Sequence, residues 1–258
     1  MYIAVSGKGG VGKSTLAAMI VRDLIRRGHK PVLAVDADPN STLGEKLGVG
    51  VERTIGDLRE DAQKTKYDAP AGTPKQRGVE YAVQNAIIEG RGFDLVSMGR
   101  GEGPGCYCSI NNMLRTFLQD LAEDYRHVVI DNEAGMEHLS RRTNARVALM
   151  LIVSDPTPTS LQAAGRIGRL ASELGVVQGT MGLLINRVTD HPIPADAVAA
   201  TGLPVLGMVP QDAGVLEYEY DSRPLIELPD DAGAVRSVRE LLDRYLDARG
   251  VDACARIA

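Results

Sequence analysis

The sequence predicts an α/β fold: a single domain built on a doubly wound, mostly parallel sheet flanked by helices. Short runs rich in Val, Ile and Leu alternate along the chain with amphipathic stretches, the pattern of strand–helix–strand units. These runs carry few polar residues on either face, as strands do when helices cover both sides of a parallel sheet. A length of 258 residues suits one large domain of this class.

The same alternation sets the order of the elements. The predicted strands cover residues 2–6, 32–36, 94–97, 128–131, 148–153, 181–186 and 205–209. The predicted helices cover residues 14–27, 110–124, 159–174 and 234–248, and Gly28 is expected at the C′ position after the first of them. Residues 62–78 are polar and contain two prolines, so we expect an exposed loop or insertion within the single domain 1–258.

Composition limits the classes of function. Hydrophobic residues make up 44% of the chain and aromatics only 4%, so the core must be aliphatic. A net charge of −5 without a long basic run disfavours non-specific binding of nucleic acid. No signal peptide precedes the first glycine-rich motif, and no apolar run has the length of a membrane span. Three cysteines do not form a disulfide framework. We therefore expect a cytoplasmic protein without a membrane or nucleic-acid partner.

The last predicted helix presents a choice between a membrane and the protein core. Its apolar residues fall on one face, while arginines and acidic residues are mixed on the other face. Because a membrane-surface helix usually has a basic polar face, we expect residues 234–248 to pack on the sheet instead.

A glycine-rich motif lies between the first predicted strand and the first predicted helix. Residues 7–14, Gly-Lys-Gly-Gly-Val-Gly-Lys-Ser, fit the phosphate-loop pattern G-x-x-x-x-G-K-[ST]. The glycines let backbone N–H groups point at phosphate oxygens, Lys13 reaches the β- and γ-phosphates, and the Ser14 hydroxyl ligates Mg²⁺. The predicted contacts of ATP or ADP are Gly9, Gly10, Val11, Gly12, Lys13, Ser14 and Thr15.

Aspartates stand at the ends of two other predicted strands. Asp36 and Asp38 follow the second strand, and Asp131 ends the strand at 128–131. Ligands of open α/β sheets bind at the carboxyl ends of the strands. Asp131 fits the Walker B pattern and is predicted to hold Mg²⁺, directly or through water. Asp36 either supports Mg²⁺ or caps its own loop.

Lys8 adds a second lysine to the phosphate loop. Read chemically, it places positive charge where phosphoryl transfer develops negative charge, and a solvated lysine is the alternative. The run Lys-Gly-Gly-Val-Gly-Lys-Ser-Thr resembles the deviant Walker A ATPases, among them septum-site, plasmid-partition and nitrogenase iron proteins. That resemblance implies an ATP-driven homodimer in which Lys8 contacts the partner's nucleotide. It also implies that Asp38, in an Asp-Pro pair like that of switch I, orients the attacking water, so the predicted catalytic residues are Lys8, Lys13 and Asp38.

The same resemblance implies a base pocket. Asn186 matches the asparagine that binds adenine in this family, and an amide can both donate to and accept from the adenine edge. Pro210 and Asp212 belong to a segment that matches the loop closing over the base. Gly135 resembles the glycine of switch II, and His138 in the same segment is a candidate metal ligand or a structural residue.

Cys106 and Cys108 form a Cys-x-Cys pair after the third predicted strand. Two thiolates cannot complete a four-coordinate metal site, but two copies of the pair across a two-fold axis can. Two alternatives remain open: a pair of buried structural cysteines and a redox-active disulfide. A 4Fe–4S cluster like that of the nitrogenase iron protein is disfavoured, because no cysteine follows Asp131 in that segment. Cys254 lies near the carboxyl terminus and is interpreted as incidental.

The segment Gly-Pro-Gly-Cys-Tyr-Cys at 103–108 resembles the CooC-type nickel-insertion ATPases of carbon monoxide dehydrogenase maturation, as does the switch II segment from Asp131 to Leu139. The resemblance runs from the phosphate loop to Pro210. It implies a homodimeric ATPase that binds Ni²⁺, or Zn²⁺ in vitro, through Cys106 and Cys108 and serves carbon monoxide dehydrogenase as its client. A positioning or partition ATPase, and nickel maturation of acetyl-CoA synthase, stay open as alternatives.

Overall fold

The computed structural model describes residues 1–63, 83–99, 121–132 and 147–254, with residues 59, 61–63 and 247–254 described in backbone only. Eight strands lie in these ranges: β1 Tyr2–Gly7, β2 Val32–Ala37, β3 Ile87–Glu89, β4 Phe93–Ser97, β5 His127–Asn132, β6 Val147–Ser154, β7 Val177–Val188 and β8 Val205–Pro210. The same ranges contain the helices α1 Lys13–Arg26, α2 Leu43–Leu47, α3 Ile55–Gln63, α4 Pro158–Leu174, α5 Ala195–Ala199, α6 Ala213–Tyr220 and α7 Gly233–Cys254, and a 3₁₀ turn covers Leu225–Glu227.

The strands form one sheet in the order β3-β4-β2-β5-β1-β6-β7-β8. All neighbours are parallel except β3 and β4, which are antiparallel. The predicted doubly wound, mostly parallel fold is therefore confirmed. β1 lies between β5 and β6 near the middle of the sheet, so the phosphate loop that follows β1 opens at the centre of its carboxyl edge.

The predicted strands, and the helices predicted at 14–27 and 159–174, agree with the structure to within two residues at most ends. The last helix extends six residues beyond its predicted end, and most of the helix predicted at 110–124 lies outside the described residues. Gly28 follows α1 with a φ of 82°, as the C′ position requires. β7 begins four residues before its predicted start, and β3 and four short helices were not predicted. These elements are too short to show a periodic apolar pattern. Helix α3 includes residues 62 and 63, so the predicted loop does not begin at residue 62. Residues 64–78 lie outside the described part.

Aliphatic side chains fill the core on both faces of the sheet. Helices α1, α2 and α7 cover one face, and α3 and α4 cover the other. The apolar face of α7 is buried against the domain through Val235, Val238, Leu241 and Leu242, which confirms the prediction that this helix packs on the sheet. No helix of the described ranges combines the length and apolar character that crossing a bilayer requires.

Candidate functional site: a phosphate loop and three aspartates

The phosphate loop follows β1 directly and leads into α1, whose first backbone N–H groups face the loop. Gly12 has a φ of 91°, and a Cβ there would lie 2.5 Å from the Asn186 Nδ2 atom. Glycine is therefore required at this position for both conformation and space. The Asn186 amide also donates to the Val11 carbonyl oxygen at 2.8 Å, which ties the loop to the end of β7. Lys8, Gly9 and Gly10 are exposed on the outer side of the loop.

Lys13 and Asp38 meet at the edge of this loop. Lys13 is only 6% exposed, and its Nζ atom lies 3.9 Å from Asp38 Oδ2. The other Asp38 oxygen accepts hydrogen bonds from the backbone and side-chain nitrogens of Asn40. The structure thus brings two of the predicted catalytic residues together, with the third, Lys8, on the exposed side of the same loop.

Asp131 is fully buried at the end of β5, beside Asp36 in the sheet register. Neither of its carboxylate oxygens has a hydrogen-bond partner among the described residues. The pKa of Asp131 is raised to about 7, mainly by burial and also by the nearby carboxylates of Asp36 and Asp38. The Ser14 hydroxyl and the Lys13 ammonium oppose this rise; Ser14 is near the carboxylate but does not meet hydrogen-bond geometry.

These observations fit a Mg²⁺ ion that is bound together with nucleotide. A buried carboxylate with two unpartnered oxygens next to the Ser14 hydroxyl is a suitable oxygen donor set. Within the described ranges, no group of three or more His, Cys, Asp or Glu side chains could enclose a metal ion. Mg²⁺ in nucleotide sites does not need such a cage, because phosphates and water supply most of its ligands.

Asp36 has a different role from Asp131, although both are fully buried. Its two oxygens accept hydrogen bonds from the backbone nitrogens of Asp38 at 3.2 Å and Leu43 at 2.9 Å. Burial raises the pKa of Asp36 to about 6, and these two hydrogen bonds limit the rise. Of the two roles predicted for Asp36, the structure displays the cap, which holds both ends of the loop that carries Asp38.

A cavity of about 270 Å³ opens beside the phosphate loop. Three of its lining residues are those predicted for the base pocket: Asn186, Pro210 and Asp212. Asp212 caps two helices here, because one oxygen accepts from Gly214 N at the start of α6 and the other accepts from Ala234 N at the start of α7. The structure therefore gathers the predicted base-pocket residues around one cavity, while contact with a base stays a prediction.

Sequence reasoning missed two charged residues that line this cavity, Glu219 and Arg187. The Glu219 carboxylate accepts from the Thr15 hydroxyl at 2.8 Å and from Lys46 Nζ at 2.6 Å. Although burial alone would raise the pKa of Glu219, these two hydrogen bonds hold it below its ordinary value. Arg187 donates to the Gly10 carbonyl oxygen at 2.9 Å from a left-handed backbone with φ 55°. Arg187 could have been noticed because it directly follows Asn186, whereas Glu219 lies in no recognisable motif.

The predicted metal ligands Cys106 and Cys108, together with Gly135 and His138, lie outside the described residues. Ser97, at the end of β4, and Asn132, at the end of β5, are described and lie just before the two segments that contain them. Both segments therefore start from the same edge of the sheet as the phosphate loop.

Comparison with known sequences decides the family. A profile of the CobQ/CobB/MinD/ParA nucleotide binding domain matches residues 2–225. The chain belongs to this family. The matched residues include the phosphate loop from Gly7 to Ser14.

Two relatives within the family cover nearly the whole chain. An uncharacterized ATP-binding protein of Methanocaldococcus jannaschii, MJ0685, is 39% identical over 96% of this chain and 100% of its own length. The carbon monoxide dehydrogenase accessory protein CooC of Rhodospirillum rubrum is 32% identical over 97% of this chain and 100% of its own length. Among solved structures, the cell division ATPase MinD of Pyrococcus furiosus superposes with a TM-score of 0.69 over 96% of this chain and 98% of MinD. At 21% identity, the likeness to MinD establishes the fold alone.

Proposed function

We propose that this protein is an ATP-dependent metallochaperone, in which ATP binding and hydrolysis change a homodimer so that it delivers nickel to the active-site cluster of carbon monoxide dehydrogenase. The observation that carries the proposal is the combination of the Cys106–Cys108 pair with 32% identity to CooC along the full length of that protein. A Cys-x-Cys pair supplies soft ligands, which a nucleotide-driven ATPase does not need for hydrolysis itself.

The arrangement at the carboxyl edge of the sheet supports the ATPase half of this proposal. Lys13 is nearly buried and points its ammonium toward the Asp38 carboxylate, so it can neutralise the β- and γ-phosphates. Asp38 is held by Asn40 at a position from which it can orient a water molecule. Mg²⁺, when bound, would neutralise phosphate charge, and Ser14 and Asp131 would hold it.

Lys8 supports the dimer. It is exposed on the outer side of the phosphate loop, whereas Lys13 in the same loop is nearly buried. An exposed lysine next to a phosphate site can reach the nucleotide of a second copy that approaches this edge. Positive charge supplied from a partner stabilises the transition state of phosphoryl transfer.

The number of soft ligands in one chain supports metal binding between two copies. One chain offers Cys106 and Cys108 as soft ligands, while Zn²⁺ takes four ligands in a tetrahedron and Ni²⁺ with thiolates takes a four-coordinate plane. A two-fold axis supplies the other two ligands if the same segment of both copies meets there. The proposal therefore requires about one metal ion per two chains.

The positioning ATPase is the less favoured alternative, and α7 supplies the reason. If a positioning ATPase bound a membrane through its last helix, the apolar face of that helix would have to face lipid. Val235, Val238, Leu241 and Leu242 instead pack in the core against α1 and the sheet. Exposing that face would require α7 to leave the domain.

Metal content per chain tests the metallochaperone. Anaerobic titration with Ni²⁺ should saturate near one ion per two chains, and sedimentation should show that the ion promotes dimers. Cys106→Ser and Cys108→Ser should each abolish this binding but keep ATP binding. Cys254→Ser is the matched control and should behave as the parent. Saturation at one ion per chain without a change in mass, or unchanged binding in the double variant, would contradict the proposal.

A further inference from the structure

A hydrogen bond between two serines joins the Asp38 loop to the end of β4. The Oγ atoms of Ser41 and Ser97 are 2.9 Å apart, and either hydroxyl can donate. Ser97 is the last residue of β4 and is only 1% exposed. Its register partner on β2 is Asp36, so the loop after β2 turns back over the neighbouring strand to reach it.

Ser41 makes this contact from an unfavourable backbone conformation. Its φ is 49°, in the left-handed region that serine rarely adopts. Such a conformation persists only where the surroundings hold it. The Ser41 N–H donates to the Asp38 carbonyl oxygen at 3.0 Å, so the turn that places Ser41 is the turn that places Asp38.

Most other bonds of this loop are internal to it or go to Asp36, which caps it. Besides the contact between Lys13 and Asp38, two side-chain hydrogen bonds among the described residues hold the loop from elsewhere in the protein. Thr42 donates to the Ser14 hydroxyl at 3.0 Å, and Ser41 bonds to Ser97. The bond from Thr42 connects the loop to Ser14, the predicted Mg²⁺ ligand. The bond from Ser41 connects the loop to β4, away from the phosphate loop.

The end of β4 is itself held firmly. Met98 donates its N–H to the Asp36 carbonyl oxygen at 2.8 Å, and its own carbonyl accepts from Gly56 N at 3.0 Å. Gly99 follows with a φ of 62°, and a Cβ there would lie 2.3 Å from Thr54 Oγ1. Ser97 therefore stands in a rigid strand end, from which the chain continues toward Cys106.

We infer that Ser97 is a positioning residue for ATP hydrolysis: through Ser41 it holds the Asp38 loop in its working conformation. The inference rests on the proposed hydrolysis. Ser97 does not touch the nucleotide in this assignment. It fixes where Asp38 stands, so a change at the end of β4 is transmitted to hydrolysis.

Steady-state ATP hydrolysis without added metal cargo tests the positioning role. Ser97→Ala should lower kcat about 5- to 20-fold while KM for ATP changes less than about two-fold, since Asp38 acts in the transition state and not in ground-state binding. Ser97→Thr keeps the hydroxyl and should restore kcat to within about three-fold of the parent. Ser160→Ala is the matched control, because it removes an equally buried Ser154–Ser160 hydrogen bond of 2.9 Å away from the loop.

A double-mutant cycle of Ser41→Ala and Ser97→Ala distinguishes loss of the hydrogen bond from a folding defect in Ser97→Ala. Ser41 lies in the loop and is partly exposed, so Ser41→Ala should fold normally. It should show the same loss of kcat as Ser97→Ala, and the double variant should be no slower than the slower single variant. Additive losses, or parental kcat in Ser41→Ala, would overturn the inference.

Hydrogen exchange separates this inference from the proposed function. Exchange of the backbone amides of residues 38–43 should be faster in Ser97→Ala than in the parent. Unchanged exchange would overturn the positioning role even if the parent hydrolyses no ATP, and faster exchange in Ser97→Ala together with a parent that lacks ATPase activity would contradict the proposed function alone.

Discussion

Two regions of this protein bury charged side chains, and they do so in opposite ways. At the carboxyl edge of the sheet, the fully buried carboxylates of Asp36 and Asp131 lie side by side in register, and burial raises the pKa of both. Between α1 and α7, Arg22 and Asp23 are equally buried, but each contacts groups that balance its charge. Arg22 donates to Asp230 at 2.7 Å, although its Nη1 atom has no hydrogen-bond partner among the described residues. Asp23 accepts from Arg27 at 2.5 Å and from Arg239 at 3.2 Å.

The difference separates a site from a structural contact. A buried group with opposite charges around it is satisfied by the protein alone, so the α1–α7 network fastens the last helix to the domain. A buried carboxylate with like charge nearby and no partner destabilises the fold until a cation arrives. Asp131 is therefore best explained by a ligand, whereas Asp23 is explained by its arginines.

Among the substitutions considered, Asp131→Asn should have the largest effect on the pH dependence of stability. Because the pKa of Asp131 is about 7 in the folded protein and near 3.8 when unfolded, the folded state loses stability as pH rises through this range. Asp131→Asn cannot ionise. The stability of the variant relative to the parent should therefore increase by about 2–3 kcal/mol between pH 5 and pH 8. Urea unfolding in EDTA without nucleotide measures this, and Mg²⁺-dependent nucleotide binding should be lost at the same time.

The same substitution at Asp36 is the control for Asp131→Asn. Asp36 accepts N–H bonds on both oxygens, so an amide at that position replaces an acceptor with a donor facing another N–H. The substitution Asp36→Asn should therefore cost about 1–3 kcal/mol in lost hydrogen bonding. Because the pKa of Asp36 is raised only to about 6, against about 7 for Asp131, the stability of Asp36→Asn relative to the parent should rise less between pH 5 and pH 8 than that of Asp131→Asn. A pH-independent effect of Asp131→Asn would show that its carboxylate is satisfied in the apo protein and would remove the contrast between the two regions.

A smaller effect on stability is expected for the ion pairs between α1 and α7. Asp23→Ala should lower the free energy of unfolding by about 2–3 kcal/mol, because it leaves Arg27 and Arg239 without their buried partner. Asp243→Ala is the matched control: it removes another partner of Arg27, at 2.7 Å, but one that is 51% exposed. That variant should lose less than about 1 kcal/mol. Nucleotide affinity should be unchanged in both variants, and equal losses of stability would contradict the role assigned to burial.

Local patterns in the sequence were sufficient to predict the phosphate-loop side of this comparison. Gly12, Lys13 and Asp131 stand at or after the ends of strands whose apolar runs can be recognised in the sequence. Their spacing fits the phosphate-loop and Walker B patterns. The structure places Lys13 near Asp38 and gathers Asn186, Pro210 and Asp212 around one cavity, while the roles assigned to these residues stay predictions.

Contacts between distant parts of the chain could not be predicted in the same way. Glu219 and Thr15 are hydrogen-bonded although they are 204 residues apart in the sequence, and Ser97 and Ser41 although they are 56 residues apart. No sequence motif indicates either pair. The antiparallel strand β3 is only three residues long, so no alternation marks it. Whether Asp36 caps its loop also depends on where the N–H groups of Asp38 and Leu43 point, which only the folded loop decides.

Retention of nickel in two nucleotide states tests most directly whether ATP controls the metal through the dimer. Nickel-loaded protein would be equilibrated against a chelator with ADP or with a non-hydrolysable ATP analogue, and the nickel per chain and the mass would be measured. The parent should hold nickel in one state and lose it in the other. Lys8→Ala should bind both nucleotides with parental affinity but show the same nickel content in each, because Lys8 would no longer bridge to the partner's nucleotide. Equal nickel content in the two states of the parent, or a parental difference in Lys8→Ala, would contradict this account.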